Sequence, residues 1–88
     1  MAHLIPHTTE WFKALEAVDR RQADTTRQII QMAGGSDVCS ICGDSPAKDY
    51  RIIGVKFQAN IDATMRLCDE CRELRHNMHG ESFAPLST

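Results

Sequence analysis

VCSICGD (38–44) and LCDEC (67–71) hold all four cysteines of the chain, and their reading decides the fold. Each is a C-x2-C pair, Cys39/Cys42 and Cys68/Cys71, with residues 43–67 between them. Two intervening residues is the separation at which two thiolates from one tight turn reach the same ion. Two such turns complete a tetrahedral four-sulfur shell with metal–sulfur bonds near ~2.3 Å. The expected site is one structural Zn2+ on Cys39, Cys42, Cys68 and Cys71. A closed shell of this kind leaves no open position for water, so the metal's expected role is to fold the chain, and no catalysis is expected.

Other uses of paired cysteines fit less well. A thioredoxin-like redox centre needs one CxxC in a βαβ setting, not two pairs bracketing a hairpin. Iron in a four-cysteine site would use the same ligands. Disulfides belong to oxidising compartments. The start MAHLIPHTTEWF has neither the basic opening nor the long apolar core of a signal peptide. No apolar run approaches the roughly 20 residues of a membrane helix. The expectation is a cytoplasmic protein with no membrane contact.

The chain has 88 residues, room for one small domain in which a metal supplements a modest core. Two parts are expected: a helical segment over 1–36 and a metal-binding module with its tail over 37–88. The net charge of −2 offers no basic footprint for nucleic acid. Residues 1–36 balance Lys13, Arg20, Arg21 and Arg27 against Glu10, Glu16, Asp19 and Asp24, whereas residues 37–88 are mildly acidic.

Residues 9–33 read as one long helix. Thr8 or Thr9 caps its start after Pro6, and Gly34 and Gly35 end it. At about 1.5 Å per residue it would run to about 37 Å. Its stripe is Trp11, Leu15, Val18, Ile29 and Met32, continued through Gln22 and Thr25, a coiled-coil-like seam with a polar middle. Trp11 and Phe12, adjacent large aromatics at the far end, mark the expected contact surface for a protein partner or for self-association.

The second half changes period. YRIIGVKF (50–57) and ATMRL (63–67) read as strands joined by a turn in QANID. CDECRELRHNMH reads as a helix opening at Cys68 or Asp69, with Cys71, Leu74 and Met78 inward and Gly80 as its stop. Phe83 and Leu86 are apolar anchors for the tail. The fold class is therefore α+β: a long N-terminal helix, then a knuckle, a β-hairpin and a helix. Gly43 suits a positive φ after the first pair, and the second pair sits where free helical N–H groups favour thiolate.

Knuckle, hairpin and a helix whose first turn supplies the last two ligands resemble a treble-clef zinc finger over residues 37–80. The cysteine framework, the gap and the run ANIDATMRLCDEC are also similar to the HNH-nuclease type of treble clef. That resemblance implies an Asp-His pair on the first strand, an Asn before the second and a His after the last cysteine. Asp49 and Asn60 match, but Tyr50 stands at the general-base position and Arg72 follows Cys71. The resemblance thus implies a degenerate scaffold lacking the base and the metal ligand for phosphodiester cleavage.

His76 and His79 read as solvent-facing residues at the helix C-terminus, and His3 and His7 as parts of a frayed end. Arg66, Arg72 and Arg75 are expected near the second helix and form the candidate phosphate-contacting face. A nucleic-acid-binding regulator is therefore the alternative to a protein-interaction module.

Overall fold

The computed structural model describes residues 2–86; Met1 and the last two residues of the tail, Ser87 and Thr88, lie outside them. The elements are β1 (Ala2–His3), α1 (Thr9–Val18), α2 (Arg20–Ala33), β2 (Lys48–Gln58), β3 (Ile61–Leu67), α3 (Asp69–His79) and β4 (Phe83–Pro85). Three strands form an antiparallel sheet, β3-β2-β4, with the short β1 added in parallel to β3.

The single helix expected over 9–33 is two helices. Asp19 leaves helical geometry (φ −155°, ψ 83°), and it closes one helix and opens the next. Its N–H donates to Leu15 O at 2.7 Å, and its Oδ1 accepts from Gln22 N–H at 3.1 Å. The two helices then clasp each other through Arg27, which lies 4.6 Å over the Phe12 ring and 2.7 Å from Glu16. A continuous helix of ~37 Å would overrun the longest dimension of the molecule, 32 Å.

The break also resets which residues point inward. Trp11, Ala14 and Leu15 are buried in α1, but Val18 is exposed. In α2 the buried positions are Ala23 and Thr26, so the expected stripe does not continue, and Met32 is 87% exposed. Trp11 is no contact surface: it is fully buried, and its indole N–H donates to Thr64 O at 2.8 Å. Phe12 is half-buried under Arg27.

The caps at the outer ends follow the expected pattern. The Thr8 side chain accepts from Trp11 N–H, and Gly34 takes the left-handed conformation. Both strands run longer than expected, and β2 contains a bulge. Arg51 pairs with Thr64 and Lys56 with Asp62, so residues 52–55 stand opposite Ala63 alone. Gly54 makes this turn at φ 83°, a region open to glycine without steric cost.

The outer edge of β3 is sealed along its length. β1 pairs with Ile61 and Asp62, Trp11 bonds to Thr64 O, and Ser40 N–H donates to Arg66 O at 2.7 Å. At the other side the tail docks as β4 beside Tyr50–Ile52, with Phe83 edge-on to Tyr50. Ile53 N–H donates to Ser82 O and Leu86 N–H to Asp49 O. Pro85 is out of phase with those inward groups, so the residue without an N–H lies on the open edge and blunts it.

α3 begins and ends where expected, with Cys68 as N-cap and Gly80 left-handed at the C-cap. Its phase differs, because Leu74 and Met78 are 50% and 72% exposed. Cys71 fixes one contact, Arg72 stacks over Tyr50 and Arg75 bridges to Glu81, and that face turns the two apolar side chains outward. One cluster of buried side chains joins the helix pair, the sheet and the cysteines, from Trp11 and Ala23 through Tyr50 and Leu67 to Cys39 and Cys71.

Candidate metal centre

The first pair of cysteines lies on a turn that its own hydrogen bonds define. Cys39 N–H donates to Asp44 O at 2.9 Å and Gly43 N–H to Cys39 O at 3.1 Å, with Gly43 at φ 81°. A Cβ at Gly43 would meet Ile29 Cγ2 at 3.0 Å, so α2 packs directly on this turn. The second pair opens α3, where Cys68 Sγ accepts from Cys71 N–H at 3.5 Å. Ile41 N–H points at Cys39 Sγ at 3.4 Å. Backbone donors thus face the sulfurs from both the turn and the helix end.

All four Sγ atoms lie within 4.8 Å of one another, and Cys42 and Cys68 approach to 3.5 Å. A tetrahedron with ~2.3 Å bonds has edges of about 3.8 Å, so the four cysteines fit one metal ion. Three are buried and Cys42 is exposed. Burial pushes the Cys39 thiol up, but the amides of Cys42, Cys68 and Ile41 outweigh it and leave Cys39 below its ordinary value. Burial holds Cys42 up at about 11. Burial and the three neighbouring sulfurs push Cys71 up further. A divalent ion supplies the positive charge that lets sulfurs this close together deprotonate.

Ser40, between the first two ligands and fully buried, ties the centre to the rest of the molecule. Its N–H bonds to Arg66 O. Its carbonyl accepts from Thr26 Oγ1 at 3.0 Å and from Gln22 Nε2 at 3.5 Å. His7, expected in a frayed end, donates from Nδ1 to Ser36 O at 2.7 Å. A carbonyl only accepts, so Nδ1 carries the proton. Nε2 therefore accepts from the Ser40 hydroxyl, also at 2.7 Å, while that hydroxyl accepts from Arg66 N–H. Burial lowers the His7 pKa, Arg66 adds to the lowering, and the Ser36 bond opposes it. Ser40 has no exposed face to meet a substrate, so this Ser-His contact is structural. The sequence marks Ser40 only by its place inside a C-x2-C turn, and it marks His7 by nothing beyond its type.

The three arginines do not share a free face. Arg66 forks onto Asp49 at 2.6 and 3.2 Å and reaches Ser36 O. Arg75 forks onto Glu81 at 2.7 and 3.2 Å. Arg72 has Asp69 only at 3.9 Å. At the positions that the nuclease-type resemblance singles out, Asp49 is held by Arg66, Tyr50 is buried beneath Arg72 and Asn60 lies on an exposed turn. His76 is exposed as expected, its Nδ1 bonded to Glu81 O.

No helix among the described residues is long and apolar enough to cross a membrane. Compared with protein-family models, curated proteins and solved structures, the sequence matches none.

Proposed function

We propose that residues 37–80 form a treble-clef-type module in which Cys39, Cys42, Cys68 and Cys71 hold one structural Zn2+, and that the protein is a small non-catalytic interaction or regulatory module of a reducing compartment. The carrying observation is the asymmetric convergence of four sulfurs within 4.8 Å, two from a glycine-ended turn and two from the first turn of a helix. Zinc suits the site because an all-thiolate closed shell is its usual structural environment. A protein partner or a second copy would meet the outer side of the helical pair, where Val18 and Met32 are exposed. A nucleic-acid role draws less support, because Arg66 and Arg75 are already paired with internal carboxylates.

The test is metal analysis of the purified protein. One zinc per molecule is expected, and cobalt substitution should give the absorption of a tetrahedral four-sulfur site. Iron in place of zinc, or a metal-free protein with the same fold, would overturn the reading.

A further inference from the structure

Cys42 is the one exposed residue of the four-sulfur cluster. Cys39 is fully buried, and Cys68 and Cys71 are buried with it. Cys42 also lines an open cavity of about 230 Å³ together with Ile29, Met32, Ala33 and Gly43. A small molecule can therefore reach this sulfur from solvent, while the other three are enclosed. Across the cluster, Cys42 Sγ lies 3.5 Å from Cys68 Sγ, so the accessible sulfur touches one from the other C-x2-C pair.

The surroundings select what reacts there. Ile29, Met32 and Ala33 give the cavity apolar walls. Four thiolates around one divalent ion keep a net negative charge, which repels anions. A small neutral oxidant meets neither obstacle, whereas glutathione disulfide, a bulky anion, meets both. Coordination holds Cys42 as a thiolate, the form that attacks oxidants. Cys39 is shielded twice, by its burial and by the Ile41 N–H at 3.4 Å from its sulfur.

We propose that Cys42 is a site of oxidation by hydrogen peroxide, and that the reaction joins it to Cys68 and opens the metal centre. The proposal rests on the zinc reading and adds a means of regulating that site. The Cys42 thiolate attacks one peroxide oxygen: an S–O bond forms, the O–O bond breaks and hydroxide leaves. Cys42 is then a sulfenic acid. The Cys68 thiolate attacks its sulfur: an S–S bond forms, the S–O bond breaks and a second hydroxide leaves. Two thiolates have given two electrons to one peroxide. The site keeps only Cys39 and Cys71, too few ligands for a closed shell. The turn bearing Cys42 also supports α2, through Ile29 against Gly43 and Thr26 bonded to Ser40 O. Opening the centre therefore undermines the helical pair as well.

The experiment treats the full-length, zinc-loaded protein with excess hydrogen peroxide. A chelating dye reads released zinc against an untreated control, and non-reducing peptide mapping by mass spectrometry identifies the first disulfide formed. One zinc freed per disulfide is expected, with the first link between Cys42 and Cys68, and zinc should rebind after reduction with dithiothreitol. Cys42→His keeps a metal ligand without a thiol. It should release zinc roughly tenfold more slowly, since buried cysteines react poorly. Should that variant fail to load, the map of the unaltered protein still decides. A first link between any other two cysteines, release at the unaltered rate in Cys42→His, or glutathione disulfide freeing zinc as fast as peroxide would overturn the proposal. Zinc content before treatment is read separately: a loaded protein that resists peroxide removes this oxidation site alone, whereas a metal-free folded protein removes the zinc reading.

Discussion

His7 shows how one side chain can make a small fold sensitive to acid. Burial holds its pKa below the ordinary 6.5, so the folded protein takes up a proton less readily than the unfolded one. The stability it contributes is complete above that ordinary value and is lost as pH falls through the lowered one. Protonation would also remove the lone pair that accepts from Ser40. Urea unfolding at about pH 7.5 and about pH 5.5, either side of the free imidazole value, should give a lower midpoint in acid. His7→Gln should flatten that difference, with metal content checked at both conditions. An unchanged difference in the variant would show that another group carries it. Nothing in the sequence distinguishes His7 from His3; its role arises from Ser36 and Ser40, more than 25 positions away. The four cysteines are the opposite case, because their chemistry and spacing are both local and both legible.

At the scale of elements, α3 and the hairpin were readable because their signals are short-range: a period, a capping cysteine and a terminal glycine. The break at Asp19 carried a signal as well. Asp19-x-x-Gln22 is the spacing of a helix cap with its third residue, but an apolar period running past it outweighs so short a cue. The outward turn of Leu74 and Met78 was not readable, because the metal ligand and two arginine contacts, not hydrophobicity, set the phase of α3. Asp19→Ala removes the side-chain acceptor for Gln22 N–H and should cost about 1 kcal/mol, as N-cap losses do. Chemical denaturation of the metal-loaded protein measures it. No loss would mean that the backbone bond to Leu15 and the Arg27 clasp hold the turn alone.

Across the whole molecule, the helix pair and the metal module share a core and meet at Ser40. Sequence reading assigns the helices to a separate segment, since no local pattern shows that Trp11 caps a strand 53 positions away. A chelator is therefore expected to unfold α1 and α2 together with residues 37–80 in one transition. Circular dichroism would report helix loss matching the release of metal. Retention of the helical signal in the metal-free protein would show two independent units.

The burial of Trp11 has a practical consequence. It is the protein's one tryptophan, fully enclosed and bonded to β3, so the molecule contains its own optical probe. Its fluorescence should emit toward the blue in the loaded state and move to the red as metal is withdrawn. The occupancy of the metal centre would then be readable in solution, without a label, from an indole on a different element.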